Sequence, residues 1–286
     1  EHMSASSEAA ATLDPPVFDW DPWTIENLTD PYPMHHAMRE TGPIVWLSKY
    51  DMYAVARHEE CSTVLSDNSR FMTGAGTSMQ DIRKPGKFRI PSRLQEVDPP
   101  KHTQIRAVVN RVMSPLVIRR MRDFFEIQAA SMAEEVLERG EIEAVEDLIE
   151  PYVISAFPAA VGVKLERKAA LTIAEMRFNQ SGPPNELYHR AMKRAQPYLE
   201  WFENSVQRKG VIKGSIAEML FDAEDRGEFD EGIASNMVRS FVGGGTDSTI
   251  TGIGHTLRLA RWQGWRCASN ALVAILHMGY GWLSAG

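Results

Sequence analysis

From Asp230 to Ala260 the chain keeps a helical hydrophobic period for about 30 residues, and the middle of that stretch reads Phe241-Val242-Gly243-Gly244-Gly245-Thr246-Asp247-Ser248-Thr249. Such a helix is roughly 45 Å long at 1.5 Å per residue. Three adjacent glycines weaken its centre by about 1 kcal/mol each relative to alanine. Glycines in that position call for a reason, and the physical one is that another flat body approaches the backbone closely. Hydroxyl residues beside them are expected to disturb the i to i−4 ladder and open a local groove, with Asp247 and Ser248 next to it as proton-relay groups. Plain helix-to-helix contact through small residues is the competing account.

A second constellation lies about 140 residues earlier, at Asp98-Pro99-Pro100-Lys101-His102-Thr103-Gln104-Ile105-Arg106. Asp98 suits an N-cap and the prolines suit a first turn, so His102 and Arg106 are expected on one face of a new helix. A His and an Arg stacked this way can grip a carboxylate pair.

Around these motifs the chain reads as mainly α with a small β portion. A helix is expected after Asp30-Pro31-Tyr32-Pro33, stopped by Thr41-Gly42-Pro43. A hairpin follows from Ile44–Leu47 and Met52–Ala56, then a short helix near Glu59–Leu65. Residues 66–97 have no sustained period and several Gly and Pro, which predicts a long loop, the kind of segment that tends to carry function. Helices are expected from Asp98 to Gly140 with a break at Ser114-Pro115, then over Val145–Val161, Arg167–Phe178, Glu186–Gln207 and Ser215–Ala223. A disordered lead-in is expected over residues 1–16.

The net charge of −7 argues against general nucleic-acid binding and against adhesion to anionic membranes, since both draw on a basic surface. No run approaches the roughly 20 apolar residues that span a bilayer. The two cysteines, Cys61 and Cys267, suggest neither a disulfide framework nor a zinc site. A cytoplasmic protein without a dedicated metal cluster is the expectation.

Asp-Pro-Pro-x-His-Thr-x-x-Arg followed by Gly-Gly-x-Asp-Ser-Thr, in that order, resembles the C and I helices of bacterial cytochromes P450. The likeness covers about residues 17–260 and implies the N-terminal two-thirds of a cytochrome P450 fold. It implies haem b as cofactor, with His102 and Arg106 pairing with the propionates through charge-assisted bonds. It also implies that Gly244 and Gly245 border the groove for dioxygen, and that Asp247 and Ser248 deliver protons. Ser248 stands where most members have Thr, so the hydroxyl lacks the methyl that fixes its rotamer.

A narrower likeness runs through Phe178–Leu187, Phe88-Arg89-Ile90-Pro91-Ser92 and Val238-Arg239-Ser240, which are similar to P450s that oxidise para-substituted benzoates. It implies hydroxylation or O-demethylation of an aromatic carboxylic acid, its carboxylate held by Arg89, Ser92, Arg239 and Ser240. Phe178 would be a pocket wall. Ser181, small where those members have an aromatic residue, implies a roomier pocket. The implied partners are O2 and a ferredoxin with its NAD(P)H-dependent reductase, for which Arg111, Arg119, Arg120 and Arg122 offer a basic docking surface.

The family's Glu-x-x-Arg helix and glycine-rich cysteine loop are not in this sequence: its last glutamate is Glu231, and Cys267 follows the long helix too closely to be the iron ligand. From Arg261 to Gly286 there are three Trp and no acidic residue, a change that a frameshift or misjoined reading frame would produce. The chain is therefore expected to be a P450 domain over 17–260, incomplete after its I helix, with a divergent tail over 261–286 and doubtful catalysis. The alternative is a non-enzymatic helical remnant that binds ligand without stable haem.

Overall fold

The computed structural model describes residues 14–85 and 89–262. The first 13 residues of the expected lead-in, Phe88, Cys267 and the tail beyond Trp262 lie outside the described residues. The chain divides into two compact units, one up to Met72 and one from Thr73 onward.

The first unit is built on a hairpin. Strand β1 (Val45–Leu47) pairs antiparallel with β2 (Met52–Ala54), Trp46 opposite Tyr53. The chain already pairs before this: Phe18 N donates to the Trp46 carbonyl and Trp46 N to the Pro16 carbonyl, each at 2.9 Å. Two helices precede the hairpin, α1 (Ile25–Thr29) and α2 (Tyr32–Thr41), and α3 (His58–Ser66) follows it. Met34 and Met38, one turn apart on α2, bury against Phe18, Val45 and Leu47. Helix α1 was not foreseen, being only five residues long with no buried face.

In the second unit α4 (Lys101–Val112) and α5 (Pro115–Arg139) are separated at Ser114, with Pro115 in the first turn of α5, where its missing N–H costs nothing. A π-helical turn (Ala144–Ile149) leads into α6 (Glu150–Val161), and α7 (Arg167–Asn179) follows. The single helix expected over Glu186–Gln207 is two, α8 (Glu186–Ala195) and α9 (Leu199–Ser205), parted by a 3-10 turn at Gln196-Pro197-Tyr198. Proline inside a helix removes a ladder donor and clashes with the preceding turn, so Pro197 explains the division. Helix α10 (Ile216–Asp225) and the 30-residue α11 (Ile233–Trp262) complete the unit.

Ile233, Ala234, Met237, Val238 and Val242 form the buried stripe of α11, packed with Ala217, Leu220 and Phe221 of α10. On α4 the buried residues Ile105, Val108, Val109 and Val112 join the same core. The long helix thus runs through the body of the unit, as its length demanded. Among the described residues of 66–97 no regular element is present beyond the last residue of α3. Among the described residues no helix is long and apolar enough to cross a membrane, and no cluster of His, Cys, Asp and Glu could hold a metal ion.

Candidate functional site

One face of α11 meets the long loop and the end of α7 around a cavity of about 260 Å³. Asn236, Ser240, Gly243, Gly244 and Asp247 recur at helical spacing along that face and line it. The loop contributes Arg89 and Ser92, and the α7 end contributes Arg177, Phe178 and Ser181. All six residues that the sequence singles out for a substrate therefore border one space, together with Asp247 and Gly244. Ser248 borders an adjoining hollow, with Phe178 and Gly244 again on its wall.

The loop is organised by an acid that sequence reasoning missed. Glu96, buried, accepts from Thr77 N and Ser92 N at 2.7 Å and from Thr77 Oγ1 at 3.0 Å. Both guanidinium ends of Arg89 also donate to it, Nη1 at 2.7 Å. Burial pushes the Glu96 carboxyl up, but the Arg89, Thr77 and Ser92 hydrogen bonds outweigh this and hold its pKa at about 2. Asn236 fastens the same loop to α11, accepting from Arg93 N at 2.8 Å and donating to the Pro91 carbonyl at 2.9 Å. A glutamate at the end of an aperiodic loop gives no signal that it will become the loop's centre. Asn236 could have been suspected as a polar residue on an apolar helical stripe.

Three arginines surround the cavity. Arg89 is spent on Glu96, and its Nε donates to Ser78 Oγ at 2.9 Å. Arg239 pairs both Nη atoms with the two oxygens of Glu203 and lies over the Phe202 ring at 5.7 Å; its buried Nε has no partner among the described residues. Arg177, which the sequence reading passed over, lies against α11 at Gly243, where a Cβ would overlap its guanidinium. Its Nη1 donates to the Arg239 carbonyl at 2.9 Å. Burial lowers the Arg177 pKa and the neighbouring Arg239 cation adds to this, with Asp247 and Glu203 acting in the other direction. Burial raises the Asp247 pKa, and Arg177 opposes that shift.

The glycine triplet resolves into three different neighbours. Gly243 admits Arg177, Gly245 faces the Phe157 ring of α6, and Gly244 has open space where a Cβ would stand. Gly245 is thus turned to a packing contact instead of the cavity. Helix α11 is continuous through its described length, and Thr246, Ser248, Thr249 and Thr256 each donate a side-chain hydrogen bond to the carbonyl four residues back.

At the α4 end, Asp98 does not cap the helix as expected. Its carboxylate accepts from Thr73 N and Gly74 N, each at 2.9 Å, so it ties the loop's start to α4 while Pro100 occupies the cap position. His102 is half-buried and Arg106 exposed, one turn apart, and among the described residues neither side chain has a hydrogen bond or ion pair. Two donors on one face without partners among the described residues fit a dianionic group such as a pair of haem propionates. Of the basic docking residues, Arg111 pairs with Glu228 and Arg122 with Glu126, so part of that charge is neutralised within the chain. Cys61 lies in α3, its thiol 3.6 Å from the Val55 carbonyl.

Among known proteins the chain is 39% identical to cytochrome P450 CYP199A2 of Rhodopseudomonas palustris, over 82% of this chain and 57% of that protein. It is 20% identical to cytochrome P450 109 of Bacillus spizizenii, over 70% of this chain and 48% of the relative. The chain thus spans about half the length of these relatives. Solved structures with the same fold include HinD with NMFT and NO (TM-score 0.66, 19% identity, 91% of this chain and 66% of that one) and epothilone D-bound cytochrome P450epoK (TM-score 0.61, 20% identity, 85% and 64%). A family model described as NnrS protein matches residues 232–286, a minor share of the chain that overlaps α11 and the residues beyond it.

Proposed function

The chain is a cytochrome P450 homologue with that family's fold, and from this premise we propose that it forms part of a haem monooxygenase acting on a small aromatic carboxylic acid, by hydroxylation or O-demethylation of a para-substituted benzoate. The observation that carries the reading is the cavity itself. The space of about 260 Å³ has room for a single-ring acid. Its wall combines one aromatic residue, Phe178, with hydroxyls and arginines, which is the composition a ring bearing a carboxylate demands.

Haem b is the family's cofactor, and when bound it supplies the activation of dioxygen. His102 and Arg106 would hold its propionates, and Gly244 would leave room beside α11. Asp247 keeps a proton more readily than an exposed aspartate, because burial raises its pKa, so it can hold and pass protons at the cavity wall. Ser248 Oγ donates to the Gly244 carbonyl at 2.9 Å, leaving its lone pairs free to accept a proton from the same side. The electrons would come from NAD(P)H through a ferredoxin that docks on the remaining basic surface at Arg119 and Arg120. The segment 17–260 would be the family's domain through its I helix, with residues 261–286 a separate tail.

Two binding measurements test this. Benzoate should bind the chain more tightly than methyl benzoate by calorimetry; equal affinity would reject an aromatic acid as the ligand. Haemin should bind more tightly than its dimethyl ester in an absorbance titration, and the H102A/R106A double variant should lose that preference. A preference that survives both substitutions would remove these residues from the propionate role.

A further inference from the structure

We propose that Arg177 is the cation that receives the carboxylate of an acidic ligand in this cavity, with Ser240 as its hydrogen-bonding companion and with Arg89 and Arg239 as supports; the assignment rests on the aromatic-acid reading above. The argument is one of charge already committed. A guanidinium donates two parallel bonds to a carboxylate across one fork. Arg89 presents that fork to Glu96, which Thr77 and Ser92 also hold, and Arg239 presents its fork to Glu203. A ligand anion brought to either would meet a neutralised pair and the repulsion of the resident carboxylate.

Arg177 differs. Its hydrogen bond is a single one to a main-chain carbonyl, and it forms no ion pair among the described residues although it lies on the cavity wall. Asp247 and Glu203 act on it only through space. A partly buried cation beside a second cation, without a carboxylate in contact, is unfavourable until an anion arrives. The seat for this cation is built into the backbone: Gly243 lacks the Cβ that would overlap the guanidinium, and Ser240 lies one turn before Gly243 on the same face of α11. Ser240 makes no hydrogen bond through its hydroxyl among the described residues, so it has a donor to offer. Burial raises the pKa of Asp247, the remaining acid on this wall, and Arg177 opposes that shift. The sequence likeness pointed to Arg89 and Arg239 and gave no sign that both forks would be occupied.

The test uses the full chain, benzoate and methyl benzoate. Arg177→Gln should weaken benzoate binding by about 10- to 100-fold, the range for losing a charge-assisted hydrogen bond, and leave methyl benzoate binding unchanged. Arg177→Lys should restore part of the benzoate affinity. In the unmodified chain the Arg177 guanidinium resonance, assigned by its absence from the lysine variant, should shift with benzoate and not with the ester, which keeps the test valid if the glutamine variant folds poorly. Wild-type benzoate affinity in Arg177→Gln, or a resonance indifferent to benzoate, overturns the assignment of Arg177. If the unmodified chain fails to prefer benzoate over its ester, the aromatic-acid reading itself falls, and this assignment with it.

Discussion

Replacing Glu96 by glutamine is expected to destabilise the chain by about 3–5 kcal/mol and to abolish ligand binding in the cavity, the largest effect of any single substitution in the loop. The cost has two parts. Arg89 would be left as a buried cation, its side chain only 12% exposed, without its counter-ion. The backbone N–H groups of Thr77 and Ser92 would lose a charged acceptor for a neutral one. Since both residues line the cavity, its wall would open. Urea unfolding at neutral pH measures the first effect and benzoate calorimetry the second. Glu96→Gln combined with Arg89→Leu should be milder than Glu96→Gln alone, because the amide oxygen still offers an acceptor to Thr77 N and Ser92 N and no buried cation is orphaned. Equal losses for the single and double variants would show that the pairing is not what holds the loop.

The same carboxylate sets a pH dependence. Its pKa is lowered to about 2 in the folded chain from an ordinary value near 4.5, so the folded state favours the ionised form. The stabilisation is complete above the ordinary value and is lost as pH falls from about 5 towards 2. The stability gap between the parent chain and Glu96→Gln should therefore narrow across that range. A gap that stays constant would mean Glu96 is not ionised in the folded state at neutral pH.

What could be read from the sequence was what periodicity and punctuation encode. The hairpin at Val45–Ala54, the break at Ser114-Pro115 and the long α11 each rest on local rules of spacing and proline placement, and the structure has them. Pro197 was equally visible but was passed over inside an otherwise helical pattern. The candidate residues Arg89, Ser92, Phe178, Ser181, Arg239 and Ser240 came from likeness alone, and they border one cavity. What the sequence did not disclose was how charges would pair across long separations. Glu203 meets Arg239 from another helix, Glu96 takes Arg89 within the loop, and Asp98 leaves its cap position for the backbone of Thr73 and Gly74. Each depends on a tertiary arrangement that no window of residues contains, and together they decide which arginine has a free fork.

The glycine triplet makes the sharpest demand on this picture, because alanine at its three positions should have effects of different sign. Gly244→Ala meets open space, so the gain in helix propensity should stabilise the chain by up to about 1 kcal/mol. Gly245→Ala would drive its methyl into the Phe157 ring; overpacking of this kind costs roughly 1–3 kcal/mol and should exceed the propensity gain. Phe157→Leu in the same chain should recover part of that loss, since a smaller, more mobile side chain can yield the space. Gly243→Ala would displace the Arg177 guanidinium, and its signature should be loss of benzoate affinity more than loss of stability. Thermal unfolding of the three single variants and the Gly245→Ala/Phe157→Leu pair reads the signs directly. Gly244 also borders both the cavity and the hollow beside Ser248, so its alanine variant should bind benzoate and haemin more weakly even as it unfolds at a higher temperature. That divergence separates a glycine kept for a ligand from one kept for packing. A Gly244→Ala chain that is more stable and binds both compounds as before would leave this glycine without a ligand to account for it.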